Sequence, residues 1–187
     1  MVRVKICGIT NLEDAQVSTG SGCDAVGFVF YKKSPRYITP GKARDIIKQL
    51  SPHIIKFGVF VNAREKTIKR IARICGLNIL QFHGNESLKF CSKFKDYKII
   101  KAFRIKNKIN PQKIIKYKTF AYLFDTFVGS KVGGTGKNFD WNLVRHIDGI
   151  TCPVFLSGGL TANNVRKAIE IVPVSYTHLT LPTKRIV

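Results

Sequence analysis

Short apolar runs rich in β-branched and aromatic residues recur along the chain: VKICGI at 4–9, AVGFVF at 25–30, IIKFGVFV at 54–61, ILQFH at 79–83, YKIIKAFRI at 97–105, AYLFDT at 121–126 and PVFLSGG at 153–159. Most are continuous rather than alternating, which is the pattern of a strand covered on both faces. Helical patterns lie between them. Their starts are marked by Asn11, by Thr39 with Pro40, by Asn62 and by Thr161, residue types that satisfy or preset the first helical turn. Strand starts fall roughly 20–30 residues apart, the size of one βα unit, so the chain is expected to form a parallel sheet with helical crossovers.

Alternation alone fits an open doubly wound sheet or a closed (β/α)8 TIM barrel. A dinucleotide-binding sheet wants GxGxxG after the first strand, and CGITNLED has no such turn. The regular units therefore point to the barrel, whose chemistry sits at the C-terminal ends of its strands. Cys7, His83, Asp125 and Ser157 all fall on that rim. Seven units are visible. After KAIEIV the chain runs PVSYTHLTLPTKRIV, without room for an eighth strand and its helix. VSYTHLTLPT also resembles a reading frame of a sequencing-library adapter. Residues 1–172 are thus expected to be an incomplete barrel, and residues 173–187 a read-through tail without function. The alternation in VSYTHLTL nevertheless gives it enough β-propensity to fill the eighth slot.

The 187 residues suit one domain. No apolar run approaches the roughly 20 residues of a membrane helix, and the N-terminus lacks a secretory signal, so a cytoplasmic protein without a membrane partner is expected. Five cysteines, at 7, 23, 75, 91 and 152, form no CxxC pair, which argues against structural zinc and for free thiols. The net charge of +21 raises nucleic-acid binding. The lysines are spread along the chain, as in KFCSKFKDYKIIK at 89–101, so the expectation is a solvated surface, no nucleic-acid partner, and a field favouring small anionic substrates.

Four motifs bear on chemistry. VGGTGKNFDW at 132–141 fails the Walker pattern, because Lys131 and Asn138 stand where Gly and Ser or Thr are needed. It reads either as a loop folding over a ligand or as a surface loop. LSGGL at 156–160 ends strand 7, where barrels often bind phosphate, although a tight turn also needs glycine. A buried carboxyl at Asp125 and a thiol at Cys7 can serve as general acid and general base; equally they can be a capping aspartate and a core thiol. Arg36, held by Pro35 after strand 2, suits a carboxylate or plain solvent. His83 reads first as a hydrogen-bonded structural group.

Taken together, VKICGIT, DAVGFVFYKKSPRYI, FGVFVN, LQFHGNE, LFDT, GGTGKNFDW and LSGGL resemble phosphoribosylanthranilate isomerase, a tryptophan-pathway barrel, over about residues 2–172. The resemblance implies an Amadori rearrangement of a phosphorylated small molecule without metal or organic cofactor, by a monomer or homodimer. It makes Cys7 the base at ribose C2 and Asp125 the acid at the ring oxygen. It assigns the anthranilate carboxylate to Arg36, loop closure to Gly133, Gly134 and Gly136, the phosphate to the amides of Gly158 and Gly159, and a place near the site to His83. The family's strand 8 motif, similar to DVSSGVE, is missing, which implies low stability and little activity. Three other readings remain: a phosphoribosyl isomerase of histidine biosynthesis, which carries aspartate where Cys7 stands; a basic nucleic-acid-binding module; and a fragment without activity.

Overall fold

The computed structural model describes residues 2–106, 109–126, 140–145, 147 and 149–180. Eight strands run in parallel and pair in sequence order until the last meets the first: β1 (Arg3–Cys7), β2 (Ala25–Val29), β3 (Ile55–Phe60), β4 (Ile79–Phe82), β5 (Lys98–Ile105), β6 (Ala121–Thr126), β7 (Val154–Leu156) and β8 (Tyr176–Thr180). Among the described residues, seven helices connect them: α1 (Leu12–Gly20), α2 (Pro40–Ile47), α3 (Glu65–Cys75), α4 (Leu88–Cys91), α5 (Pro111–Ile114), α6 (Asn142–Arg145) and α7 (Val165–Ile171). The TIM barrel read from the sequence is present.

Its eighth strand is where the structure corrects that reading. Tyr176–Thr180, assigned to a tail that either leaves the eighth slot empty or fills it, does fill it: it pairs with β1 from Arg3↔Tyr176 to Cys7↔Thr180 and with β7 at Phe155↔Tyr176 and Leu156↔Thr177. The barrel is closed. The physical reason is period-two alternation: Tyr176, His178 and Thr180 share one face of the strand, and that face turns inward. Tyr176 lies flat on Phe155, with ring centroids 4.2 Å apart and 7° between planes, and Phe155 in turn meets Phe57 edge-on at 5.9 Å. The Tyr176 hydroxyl accepts from Arg3 Nη1 at 2.8 Å. Closure also removes the unpaired edges that β1 and β7 would otherwise expose.

Two helix starts follow the sequence reading and two differ. Asn11 Oδ1 accepts the Asp14 amide at 2.8 Å, and Thr39 caps a helix that opens on Pro40. Asn62 does not cap α3. It sits at φ 50°, and its Oδ1 accepts the Asn85 amide at 2.8 Å, tying the loop after β3 to the loop after β4. Before α7 the cap position is Asn164, not Thr161, and the Asn164 side chain takes the Thr161 amide instead.

Hydrophobic groups fall into three clusters. One fills the barrel between Ala25, Phe57, Ile79, Ile100, Leu123, Phe155 and Tyr176. The other two lie between sheet and helices, one under α1 to α4 and one under α5 to α7. Apolar burial at the barrel floor leaves the next inward layers, toward the strands' C-terminal ends, for polar side chains.

Candidate active site

Those inward layers follow directly from strand alternation. Going up from the apolar floor, β1 contributes Lys5 and then Cys7, β4 contributes Gln81 with His83 just past its end, β6 adds Asp125 above Leu123, and β8 adds His178 and Thr180. Cys7, Arg36, Gln81, His83, Asp125, Ser157, His178 and Thr180 line one pocket at the C-terminal mouth, where a barrel carries its chemistry. The structure thus brings together Cys7, Arg36, His83 and Asp125, four of the residues singled out from the sequence.

Asp125 is 2% exposed and both its oxygens accept hydrogen bonds. Oδ1 takes the Thr126 amide at 2.9 Å, and Oδ2 meets His83 Nε2 at 3.1 Å. His83 Nδ1 lies 2.9 Å from Gln81 Nε2. An amide nitrogen can only donate, so Nδ1 accepts, Nε2 carries the ring proton, and His83 donates to the Asp125 carboxylate. His83 is therefore a hydrogen-bonded group, as its sequence context suggests, but its partner is the site's carboxylate.

Cys7 is buried on the opposite wall, next to Gly27 of β2 and Thr180 of β8. A Cβ at position 27 would come within 2.7 Å of Cys7 Sγ and 3.0 Å of Lys5 Nζ, so glycine is what lets thiol and amine share that space. Lys5 has no exposed surface. Its Nζ lies 3.1 Å from His178 Nδ1 and 5.0 Å from the Phe57 ring centre. Burial pushes the Lys5 ammonium below its ordinary value, while attraction to Cys7 and Asp125 works against that. Burial also pushes His178 well below the usual histidine range, and its basic neighbours Lys5 and Arg36 push the same way. The thiols away from the site behave as inert core groups: burial raises Cys75 and Cys91 to about 11.

Arg36 follows the turn after β2 and crosses Gly8. Gly8 has φ 90°, and a side chain there would run into the Arg36 methylenes. Partial burial lowers the Arg36 pKa, with Cys7 opposing. Gly158 and Gly159 follow β7 at φ 91° and 66°. A Cβ on Gly158 would collide with Thr126 Oγ1 and lie 2.8 Å from Asp125 Oδ1, so this turn packs directly against the Asp125 carboxyl. Asn164 Nδ2 donates to the Gly159 carbonyl at 2.9 Å and holds the turn. Gly133, Gly134 and Gly136 lie outside the described residues.

Three buried site residues were not picked out from the sequence. Lys5 and Gln81 each stand two positions before a chosen residue, Cys7 and His83, and so share its inward face; period two was the available signal. His178 was set aside with the tail. No helix among the described residues is long and apolar enough to cross a membrane.

Comparison with known proteins bears on the same residues. The family model for N-(5'phosphoribosyl)anthranilate (PRA) isomerase matches residues 4–178. The N-(5'-phosphoribosyl)anthranilate isomerase of Thermotoga neapolitana is 48% identical over 173 residues, covering 92% of this chain and 84% of that protein. That of Geobacter sulfurreducens is 44% identical over 172 residues, covering 92% and 84%. The crystal structure of phosphoribosyl anthranilate isomerase from Thermotoga maritima superimposes with a TM-score of 0.89 at 44% identity, covering 96% of this chain and 88% of that one. A phosphoribosyl anthranilate isomerase structure in complex with reduced 1-(o-carboxyphenylamino)-1-deoxyribulose 5-phosphate gives 0.86 at 42% identity, covering 96% and 87%.

Proposed function

The chain belongs to the N-(5'-phosphoribosyl)anthranilate isomerase family, and from that premise we propose that it converts N-(5'-phosphoribosyl)anthranilate to 1-(o-carboxyphenylamino)-1-deoxyribulose 5-phosphate in tryptophan biosynthesis. The observation that carries the reading is the placement of a thiol and a carboxyl on facing walls of one pocket at the barrel mouth. An Amadori rearrangement needs an acid, a base and positioning, and no metal or organic cofactor.

In this reading the acid side at Asp125 gives a proton to the ribose ring oxygen. The C1–O bond breaks toward that oxygen, and the anthranilate nitrogen lone pair forms C=N⁺. Cys7, as thiolate, takes the proton from C2; the C–H electrons form C1=C2 and neutralise the nitrogen. The enol then loses its O2 proton as C1 gains one, giving the ketose. Lys5 Nζ lies beside the Cys7 sulfur, within hydrogen-bonding reach of it. Arg36 is assigned to the anthranilate carboxylate, whose geometry its planar fork matches. The Gly158 and Gly159 amides are assigned to the phosphate. Gly133, Gly134 and Gly136 are assigned to loop closure.

We assign residues 1–172 to the family's barrel and residues 173–187 to a segment whose strand stands in for the family's DVSSGVE-like strand 8. Tyr176, His178 and Thr180 then occupy its inward positions, so turnover is expected below that of a chain carrying the family-like strand. The protein is assigned to the cytoplasm, as a monomer or homodimer without a nucleic-acid partner.

The test is the loss of anthranilate-linked fluorescence from freshly made substrate. Cys7→Ser and Asp125→Asn should each lower kcat by about 10³-fold while leaving the unfolding transition in place. Turnover unchanged by both substitutions, in folded protein, overturns the assignment.

A further inference from the structure

His178 is 5% exposed, and among the described residues its ring is held at one end only. Lys5 Nζ lies 3.1 Å from Nδ1, and the two residues are partners in the β1–β8 register. An ammonium has hydrogens and no lone pair, so Lys5 donates and Nδ1 accepts. Burial and the basic neighbours Lys5 and Arg36 push the ring well below the usual histidine range, so it is neutral near pH 7. A neutral imidazole whose Nδ1 accepts carries its proton on Nε2. No described group bonds that nitrogen. The fully enclosed polar side-chain atoms without a partner are, among the described residues, Gln81 Oε1, Thr126 Oγ1 and Trp141 Nε1, and His178 Nε2 is not one of them. It therefore opens onto the pocket that its ring lines together with Cys7 and Asp125. A free N–H on a buried ring at a pocket wall is placed to meet an acceptor on a ligand.

We propose that His178 contacts the substrate, its Nε2–H donating to the oxygen on ribose C2. The inference rests on the isomerase reading and deepens it. Cys7, the base at C2 in that reading, stands on the adjoining strand opposite Thr180, one inward position above the level of Lys5 and His178. The oxygen carried by C2 is then the substrate atom within reach of Nε2. Its demand for a donor rises late in the reaction, when the enol gives up its O2 proton as C1 gains one and negative charge gathers on that oxygen. A neutral N–H already in place stabilises such charge while keeping its own proton. The ring gives and takes no proton, so the balance of the rearrangement is unchanged. Lys5 acts through the ring, as a positioning residue that fixes which nitrogen carries the proton.

The test combines NMR, binding and kinetics on the whole chain. Long-range proton–nitrogen spectra of the unsubstituted protein at neutral pH should show the His178 proton on Nε2 and none on Nδ1. A proton on Nδ1 overturns the proposal, whatever the variants do. Two probes isolate the contact: reduced 1-(o-carboxyphenylamino)-1-deoxyribulose 5-phosphate, which keeps a hydroxyl on C2, and the analogue lacking that hydroxyl. His178→Leu should bind the first about 10-fold more weakly and the second as tightly as the unsubstituted protein does. Its kcat should fall further, by about 10²-fold, because the oxygen carries more charge during the reaction than in the bound alcohol. Lys5→Met removes the donor at Nδ1, so the two ring tautomers should mix and part of the same loss should follow. An equal loss for both probes in His178→Leu, or a loss for neither, overturns the proposal and leaves the isomerase reading in place. An unsubstituted chain that binds neither probe and turns over no substrate sinks the isomerase reading, and the proposal with it.

Discussion

Lys101 and Lys5 are buried on opposite sides of the same sheet, and their surroundings differ in kind. Lys101 points outward from β5 and is 3% exposed; its Nζ donates to Glu86 Oε2 at 3.0 Å and to the carbonyls of Gly84 and Phe82 at 2.6 and 3.3 Å. Glu86 in turn accepts the amides of Asn62 and Gly84, so this ion pair binds the loops after β3 and β4 to the barrel wall. Lys5 points inward from β1. Its neighbours are a histidine, a thiol and a ring face, and among the described residues no carboxylate forms an ion pair with it. A buried charge that is fully paired holds structure together. One that is poorly paired reduces stability, and such groups gather where chemistry needs them. The outer lysine therefore reads as architecture, and the inner one as part of the site.

Substitution at each side should separate them. The largest stability effect belongs to Glu86→Gln, which leaves the Lys101 ammonium buried without its counter-charge. A loss of about 3–5 kcal/mol is expected in urea unfolding, and a change below about 1 kcal/mol would mean that the pair does not tie the loops. Lys5→Met should go the other way in stability, by about 1 kcal/mol or more, while lowering turnover at least about 10-fold. Destabilisation comparable to Glu86→Gln would erase the distinction between the two lysines.

Crowding offers a sharper probe of the inner side. Gly27→Ala would press a methyl against Cys7 Sγ and Lys5 Nζ, with an overpacking cost of about 1–3 kcal/mol and a loss of turnover. Unchanged turnover and stability would show that thiol and amine can move apart freely.

The smallest effect is in pH. His178 is held neutral by burial, with its folded pKa well below the ordinary value, so below about pH 6.5 the unfolded chain binds a proton that the folded chain does not. Stability contributed by this group is intact above that pH and declines as pH falls toward the folded pKa. Lys5, also depressed, acts in the same direction across the window below the ordinary lysine value of about 10.4, where the unfolded chain again binds the extra proton. Between pH 7 and 5.5 the His178 contribution is about 1 kcal/mol. His178→Leu should flatten that dependence in urea midpoints taken at the two pH values, and an equally steep dependence would place the acid sensitivity elsewhere.

Much of this was readable beforehand for a definite reason. Continuous apolar runs at βα spacing allow few architectures, and the capping residues Asn11 and Thr39 act within one helical turn of where they stand. Cys7, Arg36, His83 and Asp125 could be chosen because strand ends of a parallel barrel converge on one rim. Asn62 and Thr161 were misread as caps because their partners, Asn85 and the Asn164 side chain, are set by neighbouring loops rather than by propensity.

The sequence by itself determined the barrel, its direction and the rim on which chemistry sits, since periodicity and local capping act over a few residues. Only the tertiary structure decided that Tyr176–Thr180 closes the sheet, that His83 serves Asp125, and that Lys5 lies under Cys7. Those outcomes depend on strand register across separations as long as Lys5 to His178, 173 residues apart. Register is settled when the eight strands close on one another, so it leaves no mark in any single run of residues.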